Sequence, residues 1–152
     1  MRHLILILVF FSCSTFVAAD EQLDPIIFMI DLKVSEGKKE QAEMFTHEIA
    51  KNVFKVEPGT VIYQYYFNKG DKAFLYEVYK SNEAAIEHVK NFRGSAWEKR
   101  FGEFFSIDSF AVLGDSSAAL KKSLVGYTTD FRQLEGGYHK PAKSLAHQIM
   151  QL

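Results

Sequence analysis

The chain has 152 residues, with 18 Lys+Arg against 19 Asp+Glu and a single cysteine. This length suits one domain with a real core, and 47% apolar and 24% charged residues exclude a disordered or low-complexity chain. A net charge of −1 gives no basic surplus for nucleic acid, and one cysteine excludes an internal disulfide framework or a cysteine-rich zinc site. The unusual feature is the 14% aromatic share, with 14 Phe and 7 Tyr. Such a share serves a large core, an aromatic pocket or a buried interface.

Residues 1–19 read as a secretory signal. Arg2 and His3 precede an apolar run from Leu4 to Phe11, and Val17, Ala18 and Ala19 stand before Asp20. The run is too short for a membrane span, which needs about 20 residues. The expectation is an exported protein, periplasmic or secreted; the alternatives are a buried first strand, a retained anchor, or a lipoprotein attached through Cys13. No membrane association is expected after cleavage.

Ile26 to Val34 is β-branched and alternating, with apolar residues at every even position, and predicts a strand. Lys38 to Val56 places Ala42, Phe45, Ile49, Val53 and Val56 on one helical face, and Pro58-Gly59 ends it. Thr60–Asn68 and Lys72–Tyr79 predict a hairpin around Gly70. Ser81 or Asn82 caps a helix striped by Ala85, Val89 and Phe92, and Ala96–Phe105 resumes as a short helix after Gly94-Ser95. Ser106–Leu113 predicts a fourth strand and Ser116–Leu124 a short amphipathic helix. The remainder has no clean period beyond a candidate strand at Tyr127–Phe131 and a helix-like end after Pro141.

Strand, helix, hairpin, helix, strand is the ferredoxin-like βαββαβ plan: an α+β fold whose four-stranded antiparallel sheet carries its helices on one face. The chain divides into the signal at 1–19, this domain at 20–125 and a C-terminal extension at 126–152. Strands two and three are apolar on both faces. Val61, Tyr63, Tyr65 and Phe67 oppose Ile62 and Tyr66; Phe74, Tyr76 and Val78 oppose Leu75 and Tyr79. A sheet with water on one side should alternate cleanly. A homodimer packed sheet to sheet supplies the missing cover, and the C-terminal tail is the other candidate.

The stretch Glu57 to His88 carries a further signal: Glu57-Pro58-Gly59 opening a strand, Tyr63 within it, a polar turn, Phe74-Leu75-Tyr76-Glu77-Val78-Tyr79, Asn82-Glu83-Ala84-Ala85 opening a helix, and His88. In this order and spacing it resembles the antibiotic biosynthesis monooxygenase family of small dimeric α/β-barrel proteins. The likeness runs more loosely from Ile26 to about Gly114. The resemblance implies a pocket between sheet and helices and oxidation of aromatic quinols or anthrones by oxygen without flavin or metal. Relatives isomerise a small sugar derivative or degrade haem. Many members carry a second His about five residues beyond the first; here that segment is Val89-Lys90-Asn91-Phe92-Arg93-Gly94-Ser95.

His88 sits at the edge of the stripe formed by Ala85 and Phe92, where an imidazole can reach a pocket and accept a hydroxyl proton. The alternative is a structural His bonded to backbone or a carboxylate. Glu77 shares strand parity with Leu75 and Tyr79, so it points into partly apolar space as a base of raised pKa or, alternatively, into a cross-strand ion pair. Tyr63, Tyr65, Tyr66, Phe92 and Trp97 are candidates for the wall of a pocket for a flat substrate, or ordinary core and interface. No Gly-rich phosphate loop and no metal-ligand spacing occur: His3, His47, His88, His139 and His147 are scattered. No cofactor is therefore expected. Three readings follow: an exported cofactor-independent monooxygenase acting on a quinol-like or polyaromatic molecule, a binding module for a small hydrophobic ligand or haem, or a structural dimer without ligand.

Overall fold

The computed structural model describes residues 25–137. The signal sequence with Cys13, His3, His139, His147 and the helix-like end after Pro141 fall outside the described residues.

The elements follow in chain order: β1 (Ile26–Val34), α1 (Lys39–Val56), β2 (Thr60–Phe67), β3 (Lys72–Tyr79), α2 (Asn82–Phe92), α3 (Ala96–Phe104), β4 (Phe105–Leu113), α4 (Ala118–Ser123) and β5 (Asp130–Arg132). The sheet order is β2-β3-β1-β4-β5. Its first four strands are antiparallel and give the ferredoxin-like arrangement that the hydrophobic patterning predicts.

The sheet has a fifth strand beyond the four-stranded plan, at the end of the candidate strand Tyr127–Phe131, and it makes the sheet mixed. β5 pairs in parallel with β4, Ala111 opposite Asp130 through Leu113 opposite Arg132. A parallel partner needs a long crossover, and the 16 residues between β4 and β5, carrying α4, supply it. A three-residue strand carries too short a pattern to show which edge it joins, so its bounds and its pairing are set by the free edge of β4. Phe131 and Tyr127 from this segment pack on the core.

The core follows the alternation of β1. Ile26, Phe28, Ile30, Leu32 and Val34 are all buried on the helix side, with Ala73, Leu75, Glu77 and Tyr79 beside them on β3. Ala42, Phe45, Ile49 and Val53 of α1 and Ala84, Ala85, His88 and Val89 of α2 close the layer. Ser81, Ser95 and Ser117 each accept a backbone N–H in the first turn of the following helix, fixing where α2, α3 and α4 begin.

The opposite face of the sheet keeps its apolar character. Ile27 and Met29 of β1, Phe74, Tyr76 and Val78 of β3 and Ile62 of β2 are half-buried there. Val61 departs from the expected alternation: a register shift between Thr60 and Ile62 leaves it 63% exposed rather than on the helix side with Tyr63.

Candidate functional site

Glu57 ends α1. Its amide donates to the Val53 carbonyl (2.9 Å), and the Thr60 amide donates back to the Glu57 carbonyl (3.1 Å), so Glu57-Pro58-Gly59 turns the chain tightly into β2. Gly59 lets α2 approach: a Cβ built there would lie 2.5 Å from the Ala84 Cβ. His88 stands one turn beyond Ala84 on the same face of α2. The close approach therefore brings the imidazole onto the Glu57 carboxylate, and His88 Nδ1 lies 2.8 Å from Glu57 Oε2. An ionised carboxylate only accepts, so Nδ1 carries the hydrogen. Thr60 Oγ1 donates to Glu57 Oε2 (2.9 Å) and Asn91 Nδ2 donates to Oε1 (3.2 Å).

Glu77 reaches the same imidazole from the sheet. It is 2% exposed, on β3 between Phe28 of β1 and Tyr63 of β2. Its Oε1 lies 3.7 Å from His88 Nε2, an ion-pair distance rather than a hydrogen bond, and its Oε2 accepts from the Tyr79 hydroxyl at 2.6 Å. His88 thus stands between two buried carboxylates, one on each ring nitrogen.

The electrostatics follow from this sandwich. Burial disfavours the His88 imidazolium, but the charges of Glu77 and Glu57 and the Glu57 hydrogen bond outweigh it and raise the His88 pKa above 6.5. Burial likewise raises Glu57, yet the His88 hydrogen bond and charge, then Asn91 and Thr60, bring it below the ordinary carboxylate value. Glu77 goes the other way: burial dominates, the His88 charge and the Tyr79 hydrogen bond only partly offset it, and its pKa is raised. Two carboxylates with pKa values pushed apart by environment are the arrangement from which acid–base roles are assigned.

Glu77 and His88 face one partly open cavity of about 50 Å³. Its walls are otherwise almost wholly apolar and aromatic, including Phe28, Phe92, Phe101 and Phe110, with Tyr63 and Tyr127 adding hydroxyls. The lining suits an apolar, aromatic group.

Of the residues singled out from sequence, the structure brings His88, Glu77, Tyr63 and Phe92 together around this cavity. Phe92 stacks on His88 at 6.2 Å between ring centroids, and the Tyr63 and Tyr65 hydroxyls lie 3.2 Å apart. Tyr66 lies elsewhere: it is 54% exposed on the opposite sheet face and donates to Gln64 Oε1 (2.7 Å). Trp97 packs against Phe45 and lines a smaller cleft behind Glu57 and His88, not the main cavity. Sequence reasoning left out Glu57 as a site residue, although the Glu-Pro-Gly turn that places it was in view. It also left out Phe28, Phe101, Phe110 and Tyr127, which have no local signal beyond being aromatic.

No known family model matches the sequence, and no curated protein does. Solved structures do match. MupZ from Pseudomonas fluorescens superposes with a TM-score of 0.70 at 21% identity, over 78% of this chain and 97% of that one. A Nitrosomonas europaea protein, provisionally assigned as an antibiotic biosynthesis monooxygenase, gives 0.51 at 17% identity over 64% of this chain and 93% of its own. The chain has the antibiotic biosynthesis monooxygenase fold. A Bacteroides thetaiotaomicron protein of unknown function, suggested to be an oxidoreductase, gives 0.52 at 17% identity over 59% and 96%. At these identities the likeness is one of fold.

Proposed function

We propose that this chain is an exported, cofactor-independent monooxygenase acting on a quinol-like or polyaromatic small molecule. The observation that carries the reading is the Glu77–His88–Glu57 array on the wall of an apolar, aromatic cavity. Glu77 is the proton acceptor. Its raised pKa makes it a better base than an ordinary carboxylate, and it faces the space a substrate hydroxyl would occupy. His88 is held by Glu57 and turns its second N–H toward Glu77 and the cavity, where it stabilises the carboxylate and the substrate anion that forms.

The substrate anion reduces oxygen itself. A carbon–oxygen bond forms at a ring carbon that bears hydrogen, and the peroxide anion takes the proton from Glu77 to give a hydroperoxide; Glu77 then removes that carbon's hydrogen as a proton while the O–O bond breaks, leaving a carbonyl and hydroxide. The proton then held on Glu77 passes to the departing hydroxide. The chain need supply only the base, the pocket and the exclusion of water. The apolar outer face of the sheet, with Tyr76, Phe74 and Met29, supports a homodimer packed sheet to sheet. Residues 1–19 support export.

Oxygen uptake by the purified protein with a panel of hydroquinones, dihydroxynaphthalenes and anthrones tests this reading. Turnover lost in His88→Ala and Glu77→Ala is the expected result; turnover unchanged in both variants would sink it. The apolar lining, together with the lack of a second His after His88, also supports a non-catalytic module for a hydrophobic ligand or haem. Co-purified ligand seen by mass spectrometry, without turnover, would favour that second reading.

A further inference from the structure

The charge balance around the cavity restricts what can enter it. Glu77 and His88 line its polar end, and the buried Glu57 carboxylate stands behind the imidazole, on the far side from Glu77. With all three ionised they sum to −1. No lysine or arginine lines the cavity among the described residues. Arg93 and Arg100 are both engaged with other groups. Arg93 lies over the outer wall residue Tyr127, 4.2 Å from its ring centroid, and its Nη2 donates to the carbonyls of Ser123 (2.9 Å) and Val125 (3.0 Å). Arg100 pairs with Glu48 at 2.8 Å. At the mouth the Tyr127 hydroxyl donates to a third carboxylate, Glu98. Among the lining residues the one group that can carry positive charge, His88, is already shared by two carboxylates.

We infer that the cavity selects uncharged aromatic ligands bearing a hydroxyl donor and rejects anionic ones, with Glu77 as the residue that discriminates. Glu57 is saturated by His88, Thr60 and Asn91, whereas Glu77 has one short hydrogen bond, from Tyr79, and a 3.7 Å approach to His88. Its Oε1 retains capacity to accept, so a neutral hydroxyl gains a charge-assisted hydrogen bond. A carboxylate ligand has no cation to meet. It loses part of its hydration and faces an incompletely neutralised carboxylate across an apolar-lined space. Two like charges held about 6 Å apart at an effective dielectric of about 20 repel by an amount worth roughly a hundredfold in Kd.

The inference rests on the reading that this cavity is the ligand site, but not on the oxidation itself. Three naphthalenes of similar size separate the terms: 2-naphthol, 2-methoxynaphthalene and 2-naphthoate, titrated by calorimetry against the full chain at pH 7.5. Naphthol should bind more tightly than the methoxy compound, and naphthoate at least about tenfold more weakly than naphthol. Glu77→Gln should bring the naphthol and naphthoate affinities to within about threefold of each other. Naphthoate binding as well as naphthol, or none of the three binding, would overturn the inference. Naphthol binding in this order without quinol turnover would leave the charge selection standing and remove the oxidation reading.

Discussion

Replacing each carboxylate of the His88 sandwich by its amide should have opposite consequences for stability. Glu57→Gln removes the acceptor of a 2.8 Å bond from His88 and perturbs those from Thr60 and Asn91. A charged hydrogen bond contributes about 1.5–3 kcal/mol, and breaking a buried pair costs about 3–5 kcal/mol. Because His88 retains Glu77 nearby, a loss of about 2–4 kcal/mol is expected within those bounds. Glu77→Gln loses the charged character of the Tyr79 hydrogen bond but also removes a second buried carboxylate that His88 does not fully neutralise. Replacing buried ionic groups by neutral ones is often neutral or stabilising by about 1–4 kcal/mol, so Glu77→Gln should be as stable as wild type or more so. The pH dependence has opposite signs. The Glu77 pKa is raised on folding, so the wild type does best against Glu77→Gln below about 4.5 and loses ground as pH rises through the folded pKa. The Glu57 pKa is lowered, so the wild-type advantage over Glu57→Gln is present above about 4.5 and lost as pH falls through the folded value. Urea unfolding of the three proteins between pH 4 and 9 measures both. Equal destabilisation by the two substitutions at pH 8 would refute the assignment of Glu57 as the partner of His88 and Glu77 as the unneutralised base.

Other consequences are as specific. Tyr79→Phe deletes the 2.6 Å hydrogen bond that lowers the Glu77 pKa, so the acidic limb of any turnover profile should move to higher pH by on the order of one unit. Gly59→Ala forces a contact 2.5 Å from the Ala84 Cβ; it should cost about 1–3 kcal/mol in urea and shift the His88 ring resonances by loosening the Glu57 contact. Tyr76→Lys, on the apolar outer face, should leave the cavity intact and yield a monomer by sedimentation velocity, whereas the wild type should sediment as a dimer if the proposed sheet-to-sheet packing holds.

The legible parts of this chain were those written in local periodicity. The even positions of β1 and the stripe Ala42, Phe45, Ile49, Val53 on α1 each bury one face, so their patterns survive folding unchanged. Glu77 was readable because strand parity ties it to Leu75 and Tyr79, both buried. Glu57 was not, because its partner lies 31 residues away and meets it only through the close packing of Gly59 on Ala84. A strand near residues 127–131 was readable, but its parallel pairing with β4 and the place of Tyr127 in the cavity wall were not, since both depend on partners distant in sequence. Tyr66 has the same composition and neighbours as Tyr63 and Tyr65 but the opposite parity, and that sends it to the other face.

The central claim, that Glu77 acts as a base within a pocket formed around His88, is tested most directly by oxygen uptake with a dihydroxynaphthalene in wild type and in Glu77→Gln shown to be folded by its unfolding midpoint. General-base catalysis contributes about 10²–10⁴ in rate, so the variant should lose at least about a hundredfold at unchanged or increased stability. A folded Glu77→Gln protein that turns over at the wild-type rate would contradict the account.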